Sequence, residues 1–74
     1  MIEGIIKRSV AIAGHRTSVS LEEAFWDELK RMANERGTSL NGLIAEIDAS
    51  RARTNLSSAI RLEILADLKK QGVN

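Results

Sequence analysis

Apolar residues recur at every second position as far as Leu21 and at every third or fourth position from Phe25 onward. A period of two belongs to a half-buried strand and a period of 3.6 to an amphipathic helix, so the chain is expected to build a small β element first and to pack helices against it. Residues 8 to 21 read as extended: Val10 and Ile12 alternate with Ser9 and Ala11, while Thr17, Val19 and Leu21 alternate with Arg16, Ser18 and Ser20. The two alternations are out of phase across Ala13-Gly14-His15, which requires either a bulge or a two-residue turn. A turn at Ala13-Gly14 would pair Val10 with Thr17 and Ile12 with His15, with Val10, Ile12, Thr17 and Val19 on one face.

Three helices follow. The first is expected from about Glu22 to Arg36, with Ser20 and Glu23 at capping-box spacing, Gly37 as the C′ residue and an apolar stripe of Phe25, Trp26, Leu29, Met32 and Ala33. The second opens after Gly37-Thr38-Ser39, with Ser39, or else Thr38, as N-cap and Leu40, Leu43, Ile44 and Ile47 along one face. Gly42 lies inside it at a cost of about 1 kcal/mol relative to Ala; a close crossing with the same helix of a second copy would explain it. Asn55 is the expected cap of the third helix, whose apolar residues are Leu56, Ala59, Ile60, Ile64, Leu65 and Leu68 and whose end is marked by Gly72.

With 74 residues the chain makes one domain, and a lone chain of this size buries only about 60% of the surface that its unfolded form exposes. There is no cysteine, and His15 is the single histidine, so neither disulfides nor a metal is expected to supply the missing stability. Oligomerisation is the remaining route. The net charge of +1 says little, but its distribution says more: Lys7, Arg8 and Arg16 outweigh Glu3 in residues 1 to 20, while five acids face three bases in residues 21 to 37. Glu3, Lys7 and Arg8 break the pattern of a signal peptide, and no apolar run approaches the ~20 residues of a membrane span. The cytoplasm is therefore the expected compartment, with no membrane partner.

A single extended segment around Thr17 to Leu21 has no obvious strand partner later in the chain, since everything after Glu22 reads as helix. Pairing with the same segment of a second copy would provide one, as an antiparallel ribbon on a two-fold axis over a shared core. The run HRTSVSLEEAFWDELKRMANERGTSLNGLIAEI, residues 15 to about 48, resembles the ribbon-helix-helix (Arc/MetJ-like) family of DNA-binding proteins. The resemblance lies in the order of a basic, polar and apolar alternating strand, an acid-started helix, a Gly-x-Ser break and a second helix with regular aliphatic spacing. It implies a mainly α fold with a short N-terminal β-ribbon, an intertwined homodimer with an extra C-terminal helix. On that division residues 1–14 are an extension, 15–50 the core and 55–71 the additional helix, additions that look like those of a small bacterial subgroup. The shared dimer core would comprise Val19, Leu21, Phe25, Trp26, Leu29, Leu40, Leu43, Ile44 and Ile47.

The resemblance also implies double-stranded DNA as partner, with the strand's outward residues Arg16, Ser18 and Ser20 reading base edges in the major groove. Arginine can give two hydrogen bonds to guanine, and serine hydroxyls donate and accept. The amides opening the second helix, at Ser39, Leu40 and Asn41, would hold phosphate, with Lys7, Arg8 and His15 as further phosphate contacts. Other roles compete for several of these residues. Ser20 suits the cap of the first helix equally, Lys7 and Arg8 suit a solvated pair, and Trp26 belongs to the core rather than to a base stack. Arg51, Arg53, Arg61, Lys69 and Lys70 are interleaved with Asp48, Glu63 and Asp67, as on a solvated face. The implied activity is sequence-specific DNA binding, with transcriptional repression by promoter occupancy. The rival reading is an antitoxin-like or adaptor dimer that holds a partner protein through the third helix. Catalysis is not expected, because no nucleophile stands beside a base and no phosphate-cradling loop is present, and no cofactor is implied.

Overall fold

The computed structural model describes residues 4–51 and 54–72, which leaves the basic residue Arg53 and the first three residues of the N-terminal segment outside the described residues. The order of elements is β1 (Ile5–Ile12), β2 (His15–Glu22), α1 (Glu23–Arg36), α2 (Leu40–Ser50) and α3 (Leu56–Lys70). The chain is mainly helical and begins with a two-stranded antiparallel ribbon.

The phase shift resolves as a two-residue turn. Ala13 and Gly14 both have positive φ, 50° and 83°, the combination that matches the twist of a tight hairpin. The register follows, with Ile12 opposite His15, Val10 opposite Thr17 and Ile5 opposite Glu22. Of the two alternatives the turn is the one that forms: β2 pairs with β1 of its own chain, and the period-two pattern begins at Ile5 rather than at residue 8.

Ser20 stays in the ladder opposite Lys7, and the extended backbone runs on to Glu22, which is the N-cap residue of α1 and makes no side-chain cap bond. The expected capping box of Ser20 and Glu23 therefore does not form. The remaining helix ends follow their sequence signals. Gly37 closes α1 in the left-handed region at φ 70°, the Ser39 side chain accepts from the Gly42 amide at 2.9 Å, and the Asn55 side chain accepts from the Ser58 amide at 2.8 Å.

The core lies between the inner face of the ribbon and the three helices. Val10, Ile12, Val19 and Leu21 meet Trp26, Leu29 and Met32 of α1, Leu43, Ile44 and Ile47 of α2, and Ile60 and Ile64 of α3. Phe25 and Leu40, expected in the core, are half-buried and pack against it. Thr17 lies on the inner face by register but is exposed. The apolar pattern of α3 is used inward only in part: Ile60 and Ile64 are buried and Leu56 and Ala59 pack against the core, whereas Leu65 and Leu68, and Leu62 beside them, are exposed.

Gly42 has a local explanation within its own chain. A Cβ there would stand 2.6 Å from the Thr38 hydroxyl and 3.0 Å from that of Ser39, so the helix-opening residues fold back over the glycine.

Candidate nucleic-acid interface

Successive side chains of a strand point to opposite faces. With the observed register, Lys7, Ser9 and Ala11 of β1 share the outward face with Ser20, Ser18 and Arg16 of β2, each opposite its partner in that order. No helix covers this face: Lys7, Ser9, Ala11, Arg16 and Ser18 are exposed and Ser20 is half-buried.

Positive charge on the outward face is left uncompensated, as it also is at Lys30, Lys69 and Lys70 of the helices. Arg31 and Arg36 pair with carboxylates of α1 and α3, Arg51 pairs with Asp48, and Arg61 pairs with Glu22. Arg8 lies over the ring of Trp26. Among the described residues, Arg16 alone of the arginines has no ion pair, side-chain hydrogen bond or ring contact, and Lys7 has none either. The acid on this face, Glu22, is drawn sideways to Arg61 at 3.1 Å. Its carboxyl is held below the usual range by its own backbone amide and by Arg61.

The structure brings Arg16, Ser18, Ser20 and Lys7 together but separates other candidates. Arg8 follows Lys7 in the strand and so faces the opposite way, half-buried against Trp26. His15 begins β2 at the turn, beside Asp48 and Arg51 at the C-terminal end of α2. Ser39, Leu40 and Asn41 open the same helix at its other end, roughly 16 Å away at about 1.5 Å per residue. There Ser39 caps the Gly42 amide, and the amides of Leu40 and Asn41 have no hydrogen bond among the described residues.

Two residues at this site escaped the sequence reading. Ser9 sits directly opposite Ser18, a pairing that follows from the Ala13-Gly14 turn once the register is carried down the strands. Ser57 accepts from the Ser20 amide at 3.3 Å, and Arg61 donates to the Ser20 carbonyl at 3.5 Å, so α3 occupies the outer edge of β2 at that point. Nothing local in the sequence announces a contact across thirty-seven residues. Beside it an open groove of about 550 Å³ runs between Ser18 and the start of α3.

The ribbon-helix-helix domain matches residues 5–68, from the first residue of β1 to within two residues of the end of α3. The chain belongs to the ribbon-helix-helix family. That family is in general one of DNA-binding regulators, its fold serving nucleic-acid binding rather than catalysis. No curated protein matches the chain. Among solved structures, an uncharacterized protein from Bordetella pertussis Tohama I is similar at 29% identity with a TM-score of 0.78, over 93% of this chain and 59% of that one. This ribbon-helix-helix chain thus spans less than two thirds of that relative. Among its described residues no helix is long and apolar enough to cross a membrane.

Proposed function

We propose that this chain is a sequence-specific DNA-binding protein, a cytoplasmic homodimer that enters the major groove with its β-ribbon and represses transcription by occupying a promoter. The observation that carries this reading is the outward ribbon face, uncovered and holding Arg16 without an intramolecular partner. A two-stranded ribbon fits a groove about 12 Å wide, and an arginine there can take guanine O6 and N7 together. Arg16, Ser18 and Ser20 are the proposed base contacts. Lys7 and His15, with the opening amides of α2 at Ser39, Leu40 and Asn41, are the proposed phosphate contacts. Arg8 we assign to the fold instead, because Trp26 takes up its guanidinium. Each chain carries its own ribbon, so a dimer would recognise two half-sites about one helical turn apart.

The test is selection of random duplex DNA by the purified protein, followed by anisotropy titration of the selected site at two salt concentrations. A two-fold repeated site whose affinity falls steeply with salt is expected. No enrichment by a folded protein would refute the reading.

A second reading, an adaptor that holds a partner protein through α3, is supported by the exposure of Leu62, Leu65 and Leu68 on a helix whose other face is already in the core. Substituting all three leucines by Gln should abolish such binding and leave DNA selection intact.

A further inference from the structure

We infer that the outward face of α3 takes an acidic amphipathic helix of another protein, with Leu62, Leu65 and Leu68 as its apolar seat and Lys69 and Lys70 as the cations that choose it. This rests on the partner-binding reading above and adds the chemistry of the partner. Ile60 and Ile64 are fully buried, so α3 cannot roll to bring its other face into the core. Leu62, Leu65 and Leu68 are left 59%, 50% and 40% exposed at three-residue steps, a spacing at which one helix offers anchors to another.

The charges of α3 are sorted by face. Its acids, Glu63 and Asp67, turn to α1, where Arg36 meets Glu63 at 3.5 Å and Arg31 meets Asp67 at 2.8 Å. Lys69 and Lys70 are exposed and have no ion pair among the described residues. Leu65 has Arg61 one helical turn before it and Lys69 one turn after it, so the leucine stripe is bounded by cations at both ends. Arg61 is already held by Glu22 at 3.1 Å, which leaves Lys69 and Lys70 as the free charge beside the leucines. A carboxylate brought in on a partner helix would meet them without displacing any contact of the fold.

The same pattern disfavours a second copy. Antiparallel pairing of two α3 helices about Leu65 would set Leu62 of one copy against Leu68 of the other, but it would also set Lys69 against Arg61. Parallel pairing would set Lys69 against Lys69. Like charges so placed oppose association, so the cations that suit an acidic helix reject this helix itself. An anionic membrane surface ordinarily calls for about four to eight clustered cations, with aromatic residues at the interface. Among its described residues α3 leaves two cations free and carries no aromatic residue.

The experiment selects binders of the purified full-length chain from a displayed library of random, helix-length peptides. Wild type is compared with Leu65→Gln and with the double variant Lys69→Glu, Lys70→Glu, with thermal unfolding of each as the control for fold. The wild type is expected to enrich peptides with apolar residues at three- and four-residue spacing flanked by Asp and Glu, and their affinity, read by fluorescence anisotropy, should fall with salt. Leu65→Gln should weaken the selected peptide about ten-fold, the loss of one buried anchor. The double charge reversal should weaken it by a similar factor and enrich Lys- and Arg-bearing peptides instead. Enrichment of apolar peptides without an acidic bias, unmoved by the reversal, would overturn the acidic partner while leaving docking on α3 in place. No enrichment would end both. Self-association of the wild type that Leu65→Gln abolishes in sedimentation would give the face to a second copy, and binding to phosphatidylserine vesicles that the reversal abolishes would give it to a membrane; either overturns the inference.

Discussion

The guanidinium of Arg8 lies over the ring of Trp26, 5.0 Å from its centre, while the indole N–H of Trp26 donates to the Ile6 carbonyl at 3.1 Å. Two consecutive inward positions of β1 thus grip one side chain of α1, one through charge and one through the backbone. The ring is fully buried, and its single polar atom is satisfied, as a buried indole requires. The contact divides the basic pair of β1: Arg8 anchors the strand, and Lys7 is left on the outward face.

Trp26→Ala should cost about 3 to 5 kcal/mol, enough to unfold much of a domain this small. Arg8→Ala should cost about 1 kcal/mol through the lost cation–ring contact. Trp26 is the only tryptophan, so urea unfolding followed by its fluorescence reads the Arg8 variant directly. An unchanged midpoint for Arg8→Ala would make the stacking energetically idle.

Arg16→Ala should leave the unfolding midpoint within about 0.5 kcal/mol of the wild type, because the side chain is exposed and makes no ion pair, hydrogen bond or ring contact among the described residues. Affinity for a selected duplex should fall by about 1 to 3 kcal/mol, one bidentate base contact. Equal affinity of the two proteins for that duplex would remove Arg16 from the base contacts.

The hairpin turn holds Ala13 at φ 50°, a conformation that costs an L-residue with a Cβ about 1 to 2 kcal/mol. Ala13→Asn should relieve roughly half of that and raise the melting temperature, since Asn-Gly is the preferred pair for this turn. Gly14→Ala, at φ 83°, should lower it. A destabilised Ala13→Asn protein would contradict the turn geometry.

The local signals in the sequence were the legible ones. Gly37, Ser39 and Asn55 punctuate the helices where a hydrogen bond or a left-handed φ is satisfied within three or four residues. What could not be read depends on which segments meet. Ser20 has the spacing of a cap, but the ladder to Lys7 holds it extended. Leu65 and Leu68 have the period of a core face, yet α3 turns Ile60 and Ile64 inward and these two leucines out. The outward face itself was half legible: the Arg16, Ser18 and Ser20 row follows from alternation, whereas the Lys7 and Ser9 row needed the strand partner.

Acid should loosen α3 from α1. Asp67, little exposed, accepts from Arg31 at 2.8 Å and meets Arg36 at 3.4 Å, and the Arg31 hydrogen bond chiefly holds its carboxyl below the usual range. A carboxyl depressed in the folded state stabilises fully above its unfolded pKa, near about 4, and that stability drains away as pH falls through the folded value. Thermal unfolding between about pH 6 and about pH 2 should show the loss, and Asp67→Asn should be less stable at neutral pH with a shallower acid slope. Parallel curves for the two proteins would assign the acid sensitivity elsewhere.

Gly42→Ala should fail to gain the about 1 kcal/mol that helix propensity offers, because its Cβ meets the Thr38 hydroxyl at 2.6 Å. In a Thr38→Ala background the same change should become stabilising. A gain of equal size in both backgrounds, measured by chemical denaturation, would show that the Thr38 contact is without cost.

Because the ribbon strands are joined by two residues, their pairing is among the most local contacts a β structure can make, and such contacts close early in folding with little chain entropy to overcome. A ribbon shared between two chains would exist only as far as protomer concentration allows, whereas a hairpin within one chain closes by a unimolecular step. The pairing of β1 with β2 therefore carries no concentration term of its own.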